Sequence, residues 1–205
     1  MAVYRTIPGA VIAVPKDETE LKNMMYTGML AEEGPFIIRY PRGYGEGTDW
    51  KTSPYEKLEP GKGEKVMDGK GIAVIAAGPS ANRAVEAAEM LKKETGTNPA
   101  IYNIRYIKPV DTALLEEVEN GFSHVITIED GCVSGGLYGI VSEYMASKKG
   151  AGVKVTGIGI PDRYISQGTQ EELREECGLT TEKIYSVLKN ALEKNAKKDE
   201  KVLQN

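Results

Sequence analysis

Residues 9–40 spell one strand, one helix and one further strand, and a unit of that kind cannot close a core by itself. GAVIAVP (9–15) is a short apolar, β-branched run stopped by Pro15. Asp17, with Glu20 three residues on, has the form of a capping box and opens a helix through Leu21, Met24, Met25 and Leu30. Gly34-Pro35 ends that helix, and FIIRY (36–40) returns as a strand. Two parallel strands with one crossover helix leave most of their apolar surface bare, so the remainder must come from upstream or from a partner. Met24, Met25, Met29 and the later Met90 read as core filling.

The pattern then changes twice. YGEGTDWKTSPYEKLEPGKG is rich in Gly and Pro without an apolar period, so residues 44–63 read as a linker too polar to be core. From residue 64 apolar runs alternate with helical periods. A short strand precedes a turn at Asp68-Gly69, and a fully buried strand follows at 72–77. Ala84, Ala87, Ala88 and Leu91 mark a helix ended near Gly96, and AIYNIRYI (100–107) reads as one strand. Asp111 caps a helix carrying Leu114, Leu115 and Val118. A strand at 124–130, a helix from Gly135 and a strand at 153–160 follow. Thr169 with Glu172 forms a second capping box, and Thr180 opens a final helix with Ile184, Leu188 and Leu192 on one face. The charged tail 198–205 is expected to be flexible. Such alternation predicts a three-layer α/β/α domain with a mostly parallel sheet over 64–197.

Composition removes several function classes. A net charge of −4 argues against a nucleic-acid partner, which would need a basic face. No apolar run is long enough to span a bilayer and no signal peptide opens the chain, so we expect no membrane association and a cytoplasmic location. Cys132 and Cys177 lie far apart and form no CxxC pair. His124 is the only histidine, so any Ser-His or Cys-His chemistry would have to run through it. No nucleophile motif adjoins it, and we read it as structural.

Two stretches could carry chemistry. EDGCVSGGLYG (129–139) places Glu129 and Asp130 at a strand end before a glycine-opened helix, where doubly wound folds bind phosphates. It lacks the spaced glycines and the lysine of phosphate loops, and its acids would repel an anion. We therefore read Gly135, Gly136 and Gly139 as allowing close helix packing. The second stretch is FIIRYPRGYGEG (36–47), where Arg39 and Arg42 flank Tyr40-Pro41 at the carboxyl end of a strand. A guanidinium is a planar fork that matches phosphate bidentately, and Gly43 permits close approach. A structural ion pair between domains explains the same residues equally well from spacing alone.

The series RTIPGAVIAVPKDETELKNMMYTG, GPFIIRYPRG, KPVD, ITIEDGCVSGGLYG and GIPDRYISQGTQEELREECGL runs in order along nearly the whole chain. It resembles the carboxyl-terminal third of the 1-deoxy-D-xylulose-5-phosphate synthase family, transketolase-like enzymes that use thiamine diphosphate and Mg2+. RYPRG and PDRYISQG carry most of that likeness. The resemblance implies that residues 1–43 are a partial α/β tail of a pyrimidine-binding domain. It also implies that residues 64–197 form a transketolase C-terminal domain, with a mixed five-stranded sheet and one antiparallel edge. In the family, pyruvate and D-glyceraldehyde 3-phosphate condense with loss of carbon dioxide. Arg42 matches the family residue that grips the aldehyde's phosphate, and Arg39 and Tyr40 are neighbours that shape that corner.

The family's magnesium-diphosphate motif, its aminopyrimidine glutamate and its active-site histidines have no counterpart here. The chain alone is therefore expected to bind neither thiamine diphosphate nor Mg2+ and to be inactive. It would be an excised domain, a proteolytic remnant or one half of a split synthase. Its implied partners are the amino-terminal and pyrimidine-binding parts, in a full-length homodimer. Two further readings stand beside this one: a β-chain fragment of a 2-oxo-acid dehydrogenase, and a non-catalytic interaction or anion-binding module.

Overall fold

The computed structural model describes residues 1–32, 34–148 and 152–203. A four-residue helix, α1 (Ala2–Arg5), precedes β1 (Val11–Ala13), α2 (Glu18–Met29) and β2 (Phe36–Ile38). After the linker come β3 (Glu64–Met67), β4 (Ala73–Ala77), α3 (Ser80–Thr95), β5 (Ala100–Asn103) and β6 (Tyr106–Lys108). Then follow α4 (Thr112–Gly121), β7 (His124–Cys132), α5 (Leu137–Ser147), β8 (Lys154–Ile160), α6 (Gln170–Cys177) and α7 (Thr181–Leu203). Of the tail expected at 198–205, residues up to Leu203 continue α7 and 204–205 lie outside the described residues.

Five strands form one mixed sheet in the order β3-β5-β4-β7-β8, with β3 the single antiparallel edge. β4 is buried along its whole length because helices cover both faces. Ile72, Val74 and Ile126 meet Ala84, Ala88 and Leu91 of α3 and Ile184 and Leu188 of α7. On the opposite face Ile75, Tyr102 and Val125 meet Leu115 and Val118 of α4 and Ile140 and Val141 of α5. The three-layer expectation holds, and the alanines of α3 are what let that helix lie close to the sheet. Gly96 closes α3 at φ 74°, the left-handed conformation usual just past a helix end.

The first sheet departs from expectation. The 100–107 run is two strands, because Arg105 adopts φ 54° and turns the chain out of the large sheet. β6 then pairs antiparallel with β1, giving a second sheet in the order β2-β1-β6. The strand–helix–strand unit is thus partly completed from within the chain. Ile12 and Val14 enter the core of the large sheet, while Ala13, Met24 and Tyr106 form a smaller cluster on the other face.

The linker also differs from its reading as purely polar. Leu58 is buried in the smaller cluster, and its N–H donates to Thr27 Oγ1 at 2.8 Å. Tyr55 packs against Tyr26 with tilted rings whose centroids are 5.4 Å apart, and Lys22 Nζ donates to the Trp50 and Ser53 carbonyls. Among the four methionines read as core, only Met24 is buried, while Met25, Met29 and Met90 are exposed. One face of α2 is enough to cover so small a sheet, and Met25 and Met29 lie on its other side beside Trp50 and Tyr55.

A compact charged brace joins the sheets. Arg105 donates to Glu20 Oε1 at 2.7 Å and to Glu64 Oε2 at 2.5 Å, and Lys16 pairs with Glu64. Asn103 Nδ2 donates to both carboxylates, at 3.1 Å to Glu20 and 3.3 Å to Glu64. Asp17 caps α2 by accepting from the Glu20 N–H at 2.7 Å, but the reciprocal half of the expected box is absent. Glu20 accepts instead from the Lys16 N–H and turns to Arg105, since a buried carboxylate gains more from a guanidinium than from a helix cap.

Candidate functional site

The sequence-expected arginines sit where β2 runs out between the two sheets. Arg39 N–H donates to Ala13 O at 2.9 Å, which keeps the strand end pinned to β1 before Tyr40-Pro41. The Gln170 side chain, at the first turn of α6, donates to Arg42 O. A Cβ on Gly43, whose φ is 139°, would meet Gln170 Nε2 at 2.3 Å. The glycine after RYPR therefore admits a glutamine of the same chain. α6 is held in place by its own capping box, with Thr169 N–H donating to Glu172 at 2.7 Å and Glu172 N–H donating to Thr169 Oγ1 at 3.3 Å.

Between these segments lies a cavity of about 280 Å³ lined by Arg39, Arg42, Arg174 and Asp130, with Ile160, Leu173 and Leu179 as apolar wall. The structure brings Arg39 and Arg42 together there. Tyr40 is exposed and faces a neighbouring cavity with Pro15, Lys16 and Tyr44, so it forms the rim rather than the wall. Of the seven arginines, Arg5, Arg83, Arg105 and Arg163 form ion pairs. Arg39, Arg42 and Arg174 form none among the described residues, and all three line this cavity. Arg174 escaped the sequence reading because in QEELREEC it looks like any solvated helix charge.

The second expected stretch resolves differently. Glu129 is buried, and its Oε1 accepts from the Tyr138 N–H at 3.3 Å at the start of α5. The chain's own carboxylate thus occupies the helix N-terminus where a phosphate would otherwise bind. Burial pushes Glu129 above the ordinary carboxylate range, while the Tyr138 and Leu137 N–H groups and the Arg39 charge pull it back. A Cβ on Gly136 would lie 2.3 Å from Glu129 Oε2 and one on Gly135 2.8 Å from Ala2 Cβ, so both are needed for close packing, whereas a Cβ on Gly139 would meet open space and the packing reading does not extend to it. Asp130 lies 4.0 Å from Arg83 Nη2. His124 is buried with Nε2 3.0 Å from Thr156 Oγ1, and burial together with Lys154 and Lys194 lowers its pKa. It meets no nucleophile and serves to join β7 to β8.

A family model of the transketolase C-terminal domain matches residues 61–184. The chain belongs to the transketolase C-terminal domain family. It is 43% identical over 197 residues to the 1-deoxy-D-xylulose-5-phosphate synthase of Bacteroides fragilis, covering 96% of this chain and 30% of that protein. It is 41% identical over 194 residues to the synthase of Dictyoglomus turgidum, covering 93% and 31%. A solved structure described as a split gene transketolase, inactive beta4 tetramer, superposes with a TM-score of 0.80 at 30% identity, over 93% of this chain and 60% of that one. The likeness carried by RYPRG and PDRYISQG therefore extends along nearly the whole chain, which spans about a third of the synthases it matches.

Among the described residues no three His, Cys, Asp or Glu side chains are grouped to hold a metal ion. Also among the described residues, no helix is long and apolar enough to cross a membrane.

Proposed function

We propose that the chain is the carboxyl-terminal part of a 1-deoxy-D-xylulose-5-phosphate synthase. In that reading residues 1–43 are the end of a pyrimidine-binding domain, 44–63 its linker, and 64–197 the transketolase C-terminal domain. The observation that carries it is the 43% identity to a named synthase along almost the full chain. That relatives of this name match over such a length favours the synthase over a dehydrogenase β chain. The complete protein joins pyruvate to D-glyceraldehyde 3-phosphate with release of carbon dioxide, in the cytoplasm and as a homodimer. Thiamine diphosphate and Mg2+ are held by the amino-terminal parts, and no chemical step is assigned to residues of this chain.

What this chain contributes is a substrate contact and a domain interface. Arg42 binds the phosphate of the aldehyde substrate, Arg39 holds the end of β2 in place and adds positive charge, and Tyr40 lines the rim. The free cationic face of the cavity supports this, since a buried phosphate needs uncommitted guanidinium groups. A split gene transketolase of similar structure is described as an inactive beta4 tetramer, and we read this chain as inactive by itself.

The test is complementation. Alone, the chain is expected to release no carbon dioxide from pyruvate plus glyceraldehyde 3-phosphate, and release is expected on mixing with the amino-terminal part. A folded mixture that stays inactive contradicts the reading. Within the active mixture, Arg42→Ala should raise KM for the phosphorylated aldehyde by about 1.5–3 kcal/mol of lost binding and leave the pyruvate KM nearly unchanged.

A further inference from the structure

We propose that Arg174 of α6 is a second phosphate-gripping residue, so that a phosphate monoester is held between Arg42 on the segment after β2 and Arg174 on α6. The inference rests on the reading of Arg42 as a phosphate contact and extends it to a residue from a different part of the fold. Gln170 ties the two together: its Oε1 accepts from Arg174 Nη2 at 3.2 Å, and its side-chain nitrogen donates to Arg42 O. One exposed glutamine therefore links the Arg42 backbone to the Arg174 guanidinium, and among the described residues neither arginine forms an ion pair.

The surrounding charges leave room for an anion. Arg39 lies toward Gly131 and the buried Glu129, so part of its charge is spent on that carboxylate. Asp130 is the one acid lining the cavity, and it leans on Arg83. Arg83 is itself only 9% exposed, with no hydrogen-bond partner for its Nε. Burial, and then the charge of Arg174, hold it below the ordinary arginine value, while Asp130, Glu46 and Glu86 pull the other way. Three guanidinium groups, those of Arg39, Arg42 and Arg174, thus line the cavity with one carboxylate, Asp130. An entering dianion would offset the repulsion between Arg83 and Arg174. The apolar wall of Ile160, Ile165, Leu173 and Leu179 suits a short carbon chain. Sulfate-sized anions and short phosphate monoesters match this chemistry, whereas neutral polyols do not.

Amide-resolved NMR titration of the 205-residue chain with inorganic phosphate, and with glycerol as the neutral control, tests the assignment. Saturable shifts are expected at Arg42, Gly43, Gln170 and Arg174 with phosphate and none with glycerol. Arg174→Gln should weaken phosphate about tenfold or more, Arg42→Gln by a similar factor, and Arg174→Lys by less than Arg174→Gln. Arg163→Gln, on an arginine already paired with Glu176, should change affinity less than about twofold. An unchanged affinity in Arg174→Gln with a loss in Arg42→Gln overturns the inference and leaves the Arg42 reading standing. The opposite pattern removes Arg42 and keeps Arg174 as the anion residue. No saturable phosphate binding by the chain at tens of millimolar overturns the two-arginine grip, and complementation still decides the synthase reading independently.

Discussion

The five-stranded sheet buries both of its faces under helices of its own segment, whereas the three-stranded sheet borrows a strand, part of a core and a charged brace from its neighbour. In the first, β4 lies between parallel partners and every residue of it is buried. In the second, β2 is an edge strand whose residues are all half-exposed. Apolar area stabilises the large sheet and is spread over many residues. The small sheet depends on a few directional contacts, above all Arg105 with Glu20 and Glu64. A region of the second kind can be lost through a single side chain.

The largest expected effect follows from breaking the brace. Arg105→Ala leaves the buried Glu20 with only Lys16 at 3.9 Å as a cation and should cost about 3–5 kcal/mol at β1 and β2, read as local opening in native-state hydrogen exchange. Arg105→Gly relieves the left-handed backbone and should lose most of the same stability, which separates charge from conformation. A loss below about 1 kcal/mol in both variants would mean that packing, and not charge, holds the small sheet.

Leu188→Ala probes the other sheet. Its side chain is fully buried between α7 and the sheet, so the expected cost is about 2–5 kcal/mol in urea denaturation, shared across all five strands. A loss confined to α7 would contradict a single cooperative layer. Asp111→Ala lies between the two in the fold and is smaller in effect. One carboxylate caps α4 through the Leu114 N–H at 3.0 Å and also accepts from the Gly63 N–H, so about 1–2 kcal/mol should be lost, measured as a lowered Tm.

Acid gives the smallest and most selective perturbation. Burial pushes Glu64 up, but the Lys16 hydrogen bond and the Arg105 and Lys16 charges together hold it below its ordinary 4.5. Its stabilising contribution is therefore complete above pH 4.5 and is lost as pH falls through the lower folded value. Amides of β1 and β2 should lose protection before those of β4 and β7 on acidification, and Glu64→Gln should narrow the gap. Simultaneous loss in both sheets would erase the contrast.

The same contrast governs what could be read from the sequence. The large sheet was legible because its strands are apolar runs between capped or glycine-ended helices, and local pattern is enough when both faces are covered. The incompleteness of the strand–helix–strand unit was legible too. That β6 would leave its sheet was not, since AIYNIRYI is apolar throughout and nothing in it marks Arg105 as a left-handed residue. The brace was equally hidden, because Glu20 has the spacing of a helix cap and is used for an arginine 85 positions away. At the candidate site, Arg39 and Arg42 stood out beside a strand end and a glycine. Arg174 did not, because its importance comes from where α6 docks and not from its neighbours in sequence.

β2 is an open sheet edge, and in the proposed synthase the amino-terminal part would cover it. Arg39 N–H donates to Ala13 O, so by alternation the Phe36 and Ile38 amides of β2 point to the open edge. Hydrogen exchange at those two amides, with and without the amino-terminal part, is the direct measurement. The account predicts fast exchange alone and a slowing of about tenfold or more in the mixture, with β4 and β7 unchanged. Phe36 and Ile38 exchanging at the same rate in both samples, while the mixture is active, would contradict it.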